Sequence, residues 1–570
     1  MYILGLTTMG ESAAALLRDG EIVACAEEER FSRQKHHIGF PYHATAYCLS
    51  EAGIGIAEVN HVAHYWQPWI LRHRVTHTLG ILARGYDLFK ARVQRGSKQV
   101  RGHYLPMFYM PWQVRRDLGR SDFRFHYVEH HVSHAASSFF CSPFDESAIL
   151  SFDGAGEEAT VLFAHGQGSG IKILRRIRLP HSLGQFYSAV TNFLGFDMFA
   201  GDEYKVMGMA GWGEPTTSAF LEREVLVRDA PGSFRLDIAF LDHHLAKHRR
   251  YSERAIRLWG EARRPDEEVT QRQYDVAASV QKAFEDTLFH LLDWLFHQTN
   301  SPNLCIAGGC ALNSLANGKI TSRTPFEHLY VQPAAHDAGG ALGSALFVYH
   351  GRLGGPRKSV MRHAYWGPSF DESCCRKAAE RARLNPQWLR DQDLFARAAG
   401  LIAEGKIIAW FRGRMEWGPR ALGNRSFLAD PRRSDMKEVI NRKIKLREPF
   451  RPFAPSILAE ASERYFGRTL EAPFMITVFP LLASRREEIP AVVHVDGTAR
   501  PQLVEREVNP GYWSLIRAFA ERTGVPVLLN TSFNVQEPIV CTPEDAVRTF
   551  LATEVDYLVM GNLLMPRPAP

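Results

Sequence analysis

Ala148-Ile-Leu-Ser-Phe-Asp-Gly-Ala-Gly-Glu-Glu-Ala-Thr-Val-Leu-Phe-Ala164 is an apolar run, a polar glycine-bearing turn holding Asp153, and a second apolar run. Short runs rich in Ile, Leu, Val and Phe read as strand, loop, strand, and a further strand is expected over 170–179. The chain opens the same way. Tyr2 to Leu6 is strand-like, Thr7-Thr-Met-Gly-Glu-Ser12 turns, Ala13 to Leu17 is apolar again, and Arg18-Asp-Gly20 is a hairpin turn into Glu21 to Ala26. Two unrelated hairpins would look alike at this level, and a third stretch tips the balance. Asn303-Leu-Cys-Ile-Ala-Gly-Gly-Cys-Ala-Leu-Asn313 is a buried strand running into Gly308 and Gly309 and then a helix. That geometry sets a helix N-terminus beside a nucleotide.

A duplicated opening of this kind resembles the actin/hexokinase/Hsp70-type (ASKHA) fold, in which two ribonuclease-H-like halves close on a nucleotide. The resemblance implies an α/β domain whose two glycine loops face phosphates. Backbone N–H groups in such a turn can approach phosphate oxygens, and an aspartate there can hold the accompanying metal.

His130-His131-Val132-Ser133-His134 precedes the second opening. On a helix His130 and His134 share one face, so both imidazoles can reach one ion, and neutral imidazole suits zinc, iron and nickel. An HxxxH pair also arises by chance among 24 histidines. The residue after His130 is a histidine, so the glutamate base of a zinc protease is absent. Asp153 follows downstream, and Pro333-Ala-Ala-His-Asp-Ala-Gly-Gly340 sets Asp337 before a small-residue helix, as an N-cap or as a further ligand. Two imidazoles with two carboxylates would leave positions open for a substrate phosphate.

The whole chain sets bounds on these readings. Its 570 residues predict more than one domain, and a formal charge of +6 is mild and does not announce a nucleic-acid binder. The eight cysteines form no CxxC pair and are expected as reduced, mostly buried thiols. No apolar run approaches the length of a membrane span and no leader is evident, so a cytoplasmic protein with no membrane partner is expected.

Four motifs carry a closer resemblance: Ala26-Glu-Glu-Glu-Arg-Phe-Ser-Arg-Gln-Lys-His36, Val128-Glu-His-His-Val-Ser-His134, Phe152-Asp-Gly-Ala-Gly-Glu157 and Gly201-Asp-Glu-Tyr-Lys-Val-Met-Gly-Met-Ala210. In this order they resemble the O-carbamoyltransferases that decorate nodulation factors and antibiotics. The resemblance implies a metal held by His130, His134, Asp153 and Asp337, with Fe2+ favoured and Mg2+ or Mn2+ as alternatives. It implies ATP as cosubstrate and Lys35, Gly309 and Asn313, with Gly308 and Asp337 alongside, as contacts to a carbamoyl-adenylate. A lysine and a metal there would offset charge on the α-phosphate and the pyrophosphate. There is one departure. The family histidine of the first loop falls at Gly10, which leaves the base for the acceptor open, with Glu11 or a neighbouring histidine as candidates.

The segment 351–358 is basic and rich in glycine and proline, and is taken as the boundary between domains at 1–355 and 356–570. Beyond it, a helix to Glu404 and a strand from Lys406 to Phe411 lead into Gly413-Arg-Met-Glu-Trp-Gly-Pro-Arg-Ala-Leu-Gly-Asn-Arg-Ser426. Arg412, Arg414, Arg420 and Arg425 crowd one loop and would repel unless an anion sits among them. Lys443, Lys445, Arg447, Arg451 and Arg500 follow, and Leu529-Asn-Thr-Ser-Phe-Asn534 ends a strand in amide and hydroxyl groups. Arginine forks suit phosphate, while Asn and Ser suit an amide or carbamate. By the same resemblance this half is a YrdC-like α/β domain in which Arg420, Lys445, Arg451, Arg500, Asn530 and Ser532 bind carbamoyl phosphate; the catalytic cations are Arg420 and Lys445 here and Lys35 at the adenylate.

Two stretches stay less legible. The aromatic and basic segment 66–118, including Lys90 to Arg101, and the segment 237–264, with His243, His244, His248, Arg249 and Arg250, are solvated faces or acceptor-facing flaps. The function expected is transfer of the carbamoyl group of carbamoyl phosphate, through carbamoyl-adenylate, to a hydroxyl of a small natural-product or sugar acceptor whose identity is unreadable. Free carbamate decomposes in water, and both domains on one polypeptide suit its sequestration. Alternatives are threonylcarbamoyl-type tRNA modification and a non-catalytic nucleotide-binding protein of the same fold.

Overall fold

A computed structural model describes residues 1–70, 72–81, 86, 89–90, 93, 105–119, 122–242 and 249–568. Most of the basic run 90–101, together with His243, His244 and His248, lies outside the described residues. The chain forms two compact units: Met1–Glu28 with His36–Met361, and Glu29–Lys35 with Arg362–Pro570.

The first unit holds the duplication as two five-stranded sheets of one topology. In the first sheet Glu21–Glu27, Ala13–Arg18, Tyr2–Thr7, Val59–His64 and Arg124–Tyr127 lie side by side. The first three are an antiparallel meander and the last two run parallel to Tyr2–Thr7. The second sheet repeats this with Gly170–Arg178, Ala159–Gln167, Glu146–Phe152, Asn303–Ala307 and His328–Val331. The expected hairpin at Arg18-Asp-Gly20 is present, with positive φ at Asp19 and Gly20. The central strands are nearly continuous buried runs, as strands covered on both faces must be.

Two helices lie between the repeats: His130–Phe139, and Gly339–Leu346 of sequence GGALGSAL. Both are wholly buried. The second is built of small residues because its backbone meets backbone. A Cβ on Gly343 would lie 1.8 Å from the carbonyl oxygen of Ser133 in the first helix. The helix Gln271–Thr299, expected as core from its periodicity, buries Val276, Val280, Phe284, Leu288 and Leu291 along one face.

The second unit is an eight-stranded mixed sheet in the order Gln387–Trp388, Leu563–Pro566, Tyr557–Met560, Ile408–Phe411, Arg425–Ala429, Val527–Ser532, Ala454–Leu458 and Gln502–Val504. The helices Asp391–Ala403 and Pro510–Thr523 supply Leu394, Ile402, Leu515 and Phe519 to its core. Glu29–Lys35 joins this unit although it belongs to the N-terminal sequence. Arg33 donates to the carbonyls of Pro538 and Ile539 at 2.6 and 2.8 Å, and Phe31 packs against Met415, Ala421, Ile539 and Cys541. Each unit is therefore α/β: an ASKHA-type duplicated domain first and a mixed-sheet domain second. All eight cysteines are free thiols, and none of the helices among the described residues is long and apolar enough to cross a membrane.

Candidate functional site

In the first unit the helix His130–Phe139 begins where the parallel strand Arg124–Tyr127 ends, and Glu157 governs its start. The buried Glu157 carboxylate accepts from the backbone N–H of His130 at 3.0 Å and of Gln67 at 2.8 Å. A carboxylate at a helix N-terminus satisfies an orphan donor and complements the dipole. His130 and His134 then project from one face with their Nε2 atoms 3.1 Å apart. His131 points elsewhere, bonded to the Ser151 hydroxyl at 2.7 Å and the Ala159 carbonyl at 3.1 Å.

Asp153 follows the strand Glu146–Phe152. Its Oδ1 accepts from the Gly154 N–H at 2.6 Å, which leaves Oδ2 at 3.4 and 3.2 Å from the Nε2 atoms of His130 and His134. Asp337 Oδ1 completes the group at 3.7 and 3.6 Å. One ligand atom from each of the four residues falls within 4.8 Å of all the others. Burial opposes charge on His134, but Asp153 and Asp337 outweigh it and raise its pKa to about 9. Burial likewise opposes charge on Asp153, whose carboxyl His130 and His134 nonetheless hold well below the usual range. Two buried imidazoles facing two carboxylates make the donor set of a divalent first-row metal, and the residues fit such an ion. Among the described residues, neither buried Nδ1 atom of His130 or His134 has a hydrogen-bond partner.

The glycine loops close around this group. Gly10 has φ +66, and a Cβ there would lie 2.0 Å from Asp337 Oδ2. The histidine that the family resemblance sets at this position has no room on this backbone. Glu11 turns instead to His36 at 3.1 Å and His336 at 3.4 Å. Burial alone would raise its pKa, but the two histidines hold the carboxyl well below the ordinary range. A Cβ on Gly309 would lie 3.1 Å from Asp153 Oδ1, so the second glycine pair also borders the site. Asn313 caps the helix Ser314–Arg323 and exchanges two hydrogen bonds of 3.0 Å with Gln281. Lys35 belongs to the second unit, where its charge is among those that lower Lys445.

In the second unit, the expectation that an anion gathers Arg412, Arg414, Arg420 and Arg425 needs correction. Arg412 pairs with Asp391 at 2.6 Å, and Arg414 donates to the carbonyls of Trp366 and Gly367. Arg425 is fully buried, stacked on the Phe411 ring at 3.7 Å and donating to backbone carbonyls. These three build the loop. Buried Glu416 shapes it further, its Oε1 accepting from the N–H groups of Leu422, Asn424 and Arg425 at 2.7, 2.9 and 3.2 Å. Arg420 is left to another group, with Arg447, Arg451 and Arg500.

Burial first, and then the charges of Arg420, Arg447 and Arg451, push the pKa of Arg500 down. Burial, Arg447 and Arg451 do the same to Lys445. Arg500 Nε is buried without a partner among the described residues. Lys445 donates to the backbone carbonyls of Ser532 and Asn534, the Asn534 side chain at 2.9 Å, and the Ser532 hydroxyl at 3.2 Å. Asn530 and Ser532 project from one face of their strand. The structure thus groups Arg420, Arg451 and Arg500 by charge, and Lys445 with Ser532 by contact. Arg447 was not assigned a role from sequence; its spacing two residues after Lys445 was the available signal. Glu157, Ser456 and Gln502 were also missed, since a buried carboxylate, hydroxyl or amide has no local sequence signature.

Two family models match the chain. Residues 2–346 match the carbamoyltransferase N-terminus and residues 399–567 the carbamoyltransferase C-terminus. An uncharacterized protein of Synechocystis is 40% identical, with 100% of this chain and 97% of that protein covered. The nodulation protein NolNO of Sinorhizobium fredii is 39% identical over 98% of this chain and 79% of its own length. The nodulation protein NolO of Bradyrhizobium diazoefficiens is 41% identical over 78% of this chain and 79% of its own. With both family regions matched in order across most of its length, this chain belongs to the carbamoyltransferase family and is a transferase.

Proposed function

We propose that this carbamoyltransferase is ATP-dependent and works in two stages. In the second unit Arg420, Lys445, Arg451, Arg500, Asn530 and Ser532, with Arg447 beside them, bind carbamoyl phosphate. Water converts it to carbamate and inorganic phosphate, and Lys35 adds a catalytic cation whose charge is felt at Lys445. In the first unit a carbamate oxygen attacks the α-phosphorus of ATP, pyrophosphate leaves, and carbamoyl-adenylate forms. An acceptor hydroxyl then attacks the carbamoyl carbon, AMP departs, and the hydroxyl proton passes to a base or to solvent. The acceptor is a hydroxyl-bearing small molecule.

One observation supports this reading above the others. Arg420, Arg447 and Arg451 stand close enough to depress Arg500, and Arg447 and Arg451 depress Lys445 as well. Cations so grouped favour a compact anion of high charge, and guanidinium forks match phosphate oxygens. In the first unit His130, His134, Asp153 and Asp337 would hold a divalent metal, Fe2+ by family resemblance. Such an ion supplies charge compensation to phosphate oxygens. Gly308 and Gly309 keep the loop beside Asp153 free of side chains, as an adenylate requires, and Gln281 orients Asn313.

The test supplies purified protein with carbamoyl phosphate, ATP and a divalent metal, and follows phosphate, pyrophosphate and AMP with and without candidate alcohols. Phosphate should need only carbamoyl phosphate, whereas pyrophosphate should need ATP as well. Absence of pyrophosphate with every acceptor and metal would sink the adenylate stage.

A further inference from the structure

Asn530 stands at the end of a relay of hydrogen bonds that all run in one direction. Gln502 Nε2 donates to the carbonyl oxygen of Leu422 at 2.7 Å, which settles which end of the Gln502 amide is oxygen. Its Oε1 therefore faces Ser456, and the Ser456 hydroxyl donates to it at 2.8 Å. A hydroxyl has one proton, so Ser456 Oγ can only accept from its other neighbours. Asn530 Nδ2 donates to it at 3.0 Å, and also lies 3.3 Å from the Ala421 carbonyl and 3.4 Å from Gln502 Oε1. The Tyr512 hydroxyl lies beside the same two side chains.

Turning the Asn530 amide over would set its oxygen against the Ala421 carbonyl and Gln502 Oε1, two acceptors facing an acceptor. The orientation is thus dictated by the network. Ser456, Gln502 and Asn530 are 0, 2 and 2% exposed, so water cannot take over these roles cheaply. What the relay leaves over is Asn530 Oδ1, buried and without a partner among the described residues. An orphaned buried acceptor costs about 1–3 kcal/mol unless something donates to it.

Chain connectivity ties this acceptor to the cations. Ala421, which accepts from Asn530, follows Arg420. Ser532, two residues along the same strand face, is bonded to Lys445. A ligand that satisfies both features is an anion that also carries an N–H donor. Carbamoyl phosphate has its NH2 group next to the phosphate ester. Acetyl phosphate, nearly the same shape, has a methyl group there.

We infer that Ser456 and Gln502 are positioning residues that hold the Asn530 carbonyl toward the NH2 of carbamoyl phosphate, and so make the second unit reject acetyl phosphate. This rests on the assignment of carbamoyl phosphate to that unit. A site built to bond a substrate N–H rejects the analogue lacking it by about 10⁴-fold, far more than a shape difference of one group achieves. Gln502→Leu frees the Ser456 proton to be donated to Asn530 instead, and Ser456→Ala removes the acceptor 3.0 Å from Asn530 Nδ2, so either variant loosens the hold that keeps Oδ1 toward a donor.

The experiment measures phosphate release by the full-length protein from carbamoyl phosphate and from acetyl phosphate. It compares wild type with Ser456→Ala, Gln502→Leu and the hydroxyl-preserving Ser456→Thr. Inorganic phosphate as competitive inhibitor reports whether the cation group is intact in each. The expected result is a wild-type kcat/KM ratio strongly favouring carbamoyl phosphate. That ratio should fall at least about tenfold in Ser456→Ala and Gln502→Leu, mainly through KM, and recover in Ser456→Thr. Phosphate inhibition should stay within about twofold throughout, a change of under 0.5 kcal/mol. If wild type is active on carbamoyl phosphate and both substrates lose rate equally in the variants, Ser456 and Gln502 are structural only and the inference fails. If wild type releases no phosphate from carbamoyl phosphate, the assignment of that substrate falls and takes the inference with it.

Discussion

Gly343 and Ser133 meet backbone to backbone: a Cβ on the glycine would lie 1.8 Å from the serine carbonyl oxygen. Ser133 immediately precedes His134, and Gly343 lies in the helix that follows Asp337. The approach of these two helices is what lets an imidazole pair and a distant aspartate share one site. Gly343→Ala should therefore force the helices apart. Overpacking of this kind costs about 1–3 kcal/mol, and with backbone as the obstacle the upper end is expected. A lower unfolding temperature together with weaker metal binding is the predicted result. Unchanged metal affinity would show that the helix contact does not set the site.

His130→Ala and His134→Ala should each abolish stoichiometric binding of a divalent metal, measured by elemental analysis after gel filtration. His131→Ala should leave metal content intact, because that ring is committed to Ser151 and Ala159 on the other side of the helix. Its loss should lower stability by about 1–3 kcal/mol through unpaired buried partners. Equal metal loss in all three variants would refute the assignment.

Arg420→Ala and Arg425→Ala separate anion binding from loop architecture. The first should weaken inorganic phosphate binding about 10- to 100-fold, the worth of a hydrogen bond to a charged group, with little change in melting. The second removes a buried guanidinium that ties the backbone carbonyls of Gly413, Asn424 and Pro368, and should depress the melting temperature. Calorimetric titration with phosphate, beside thermal melts, distinguishes them.

Phosphate affinity should fall as pH rises, and Lys445 supplies the sign. Burial, Arg447 and Arg451 hold its pKa below the ordinary 10.5 in the free site. A bound dianion favours the ammonium and raises that pKa, so binding takes up protons wherever the free lysine is partly neutral. Affinity is then greatest below the free-site pKa, declines as pH rises through it, and levels off above the pKa of the bound site. Lys445→Met should flatten the profile. Titrations in two buffers of different ionisation enthalpy measure the proton uptake, and equal apparent enthalpies would contradict the prediction.

Much of the first unit was legible because its signals are local. Strand–loop–strand patterning repeats at Tyr2 and again at Ala148, and both repeats became sheets of identical topology. The HxxxH spacing survived for the same reason, since helix periodicity sets which side chains share a face. Less legible was the role of like residues side by side. Four arginines within a short loop looked equivalent, yet three are tied to carboxylates or carbonyls and only Arg420 joins the cation group.

The sequence by itself determined the strand units, the turn chemistry at Asp19 and Gly20, and the shared face of His130 and His134. Each rests on residues within a few positions of one another. Tertiary structure alone decided the rest. It closed Gly10 against Asp337, moved Glu29–Lys35 into the second unit, and joined Ser456, Gln502 and Asn530 into one directed relay. The physical reason is that a hydrogen-bond direction or a steric limit depends on which atoms packing brings together, and those atoms lie tens to hundreds of residues apart in this chain.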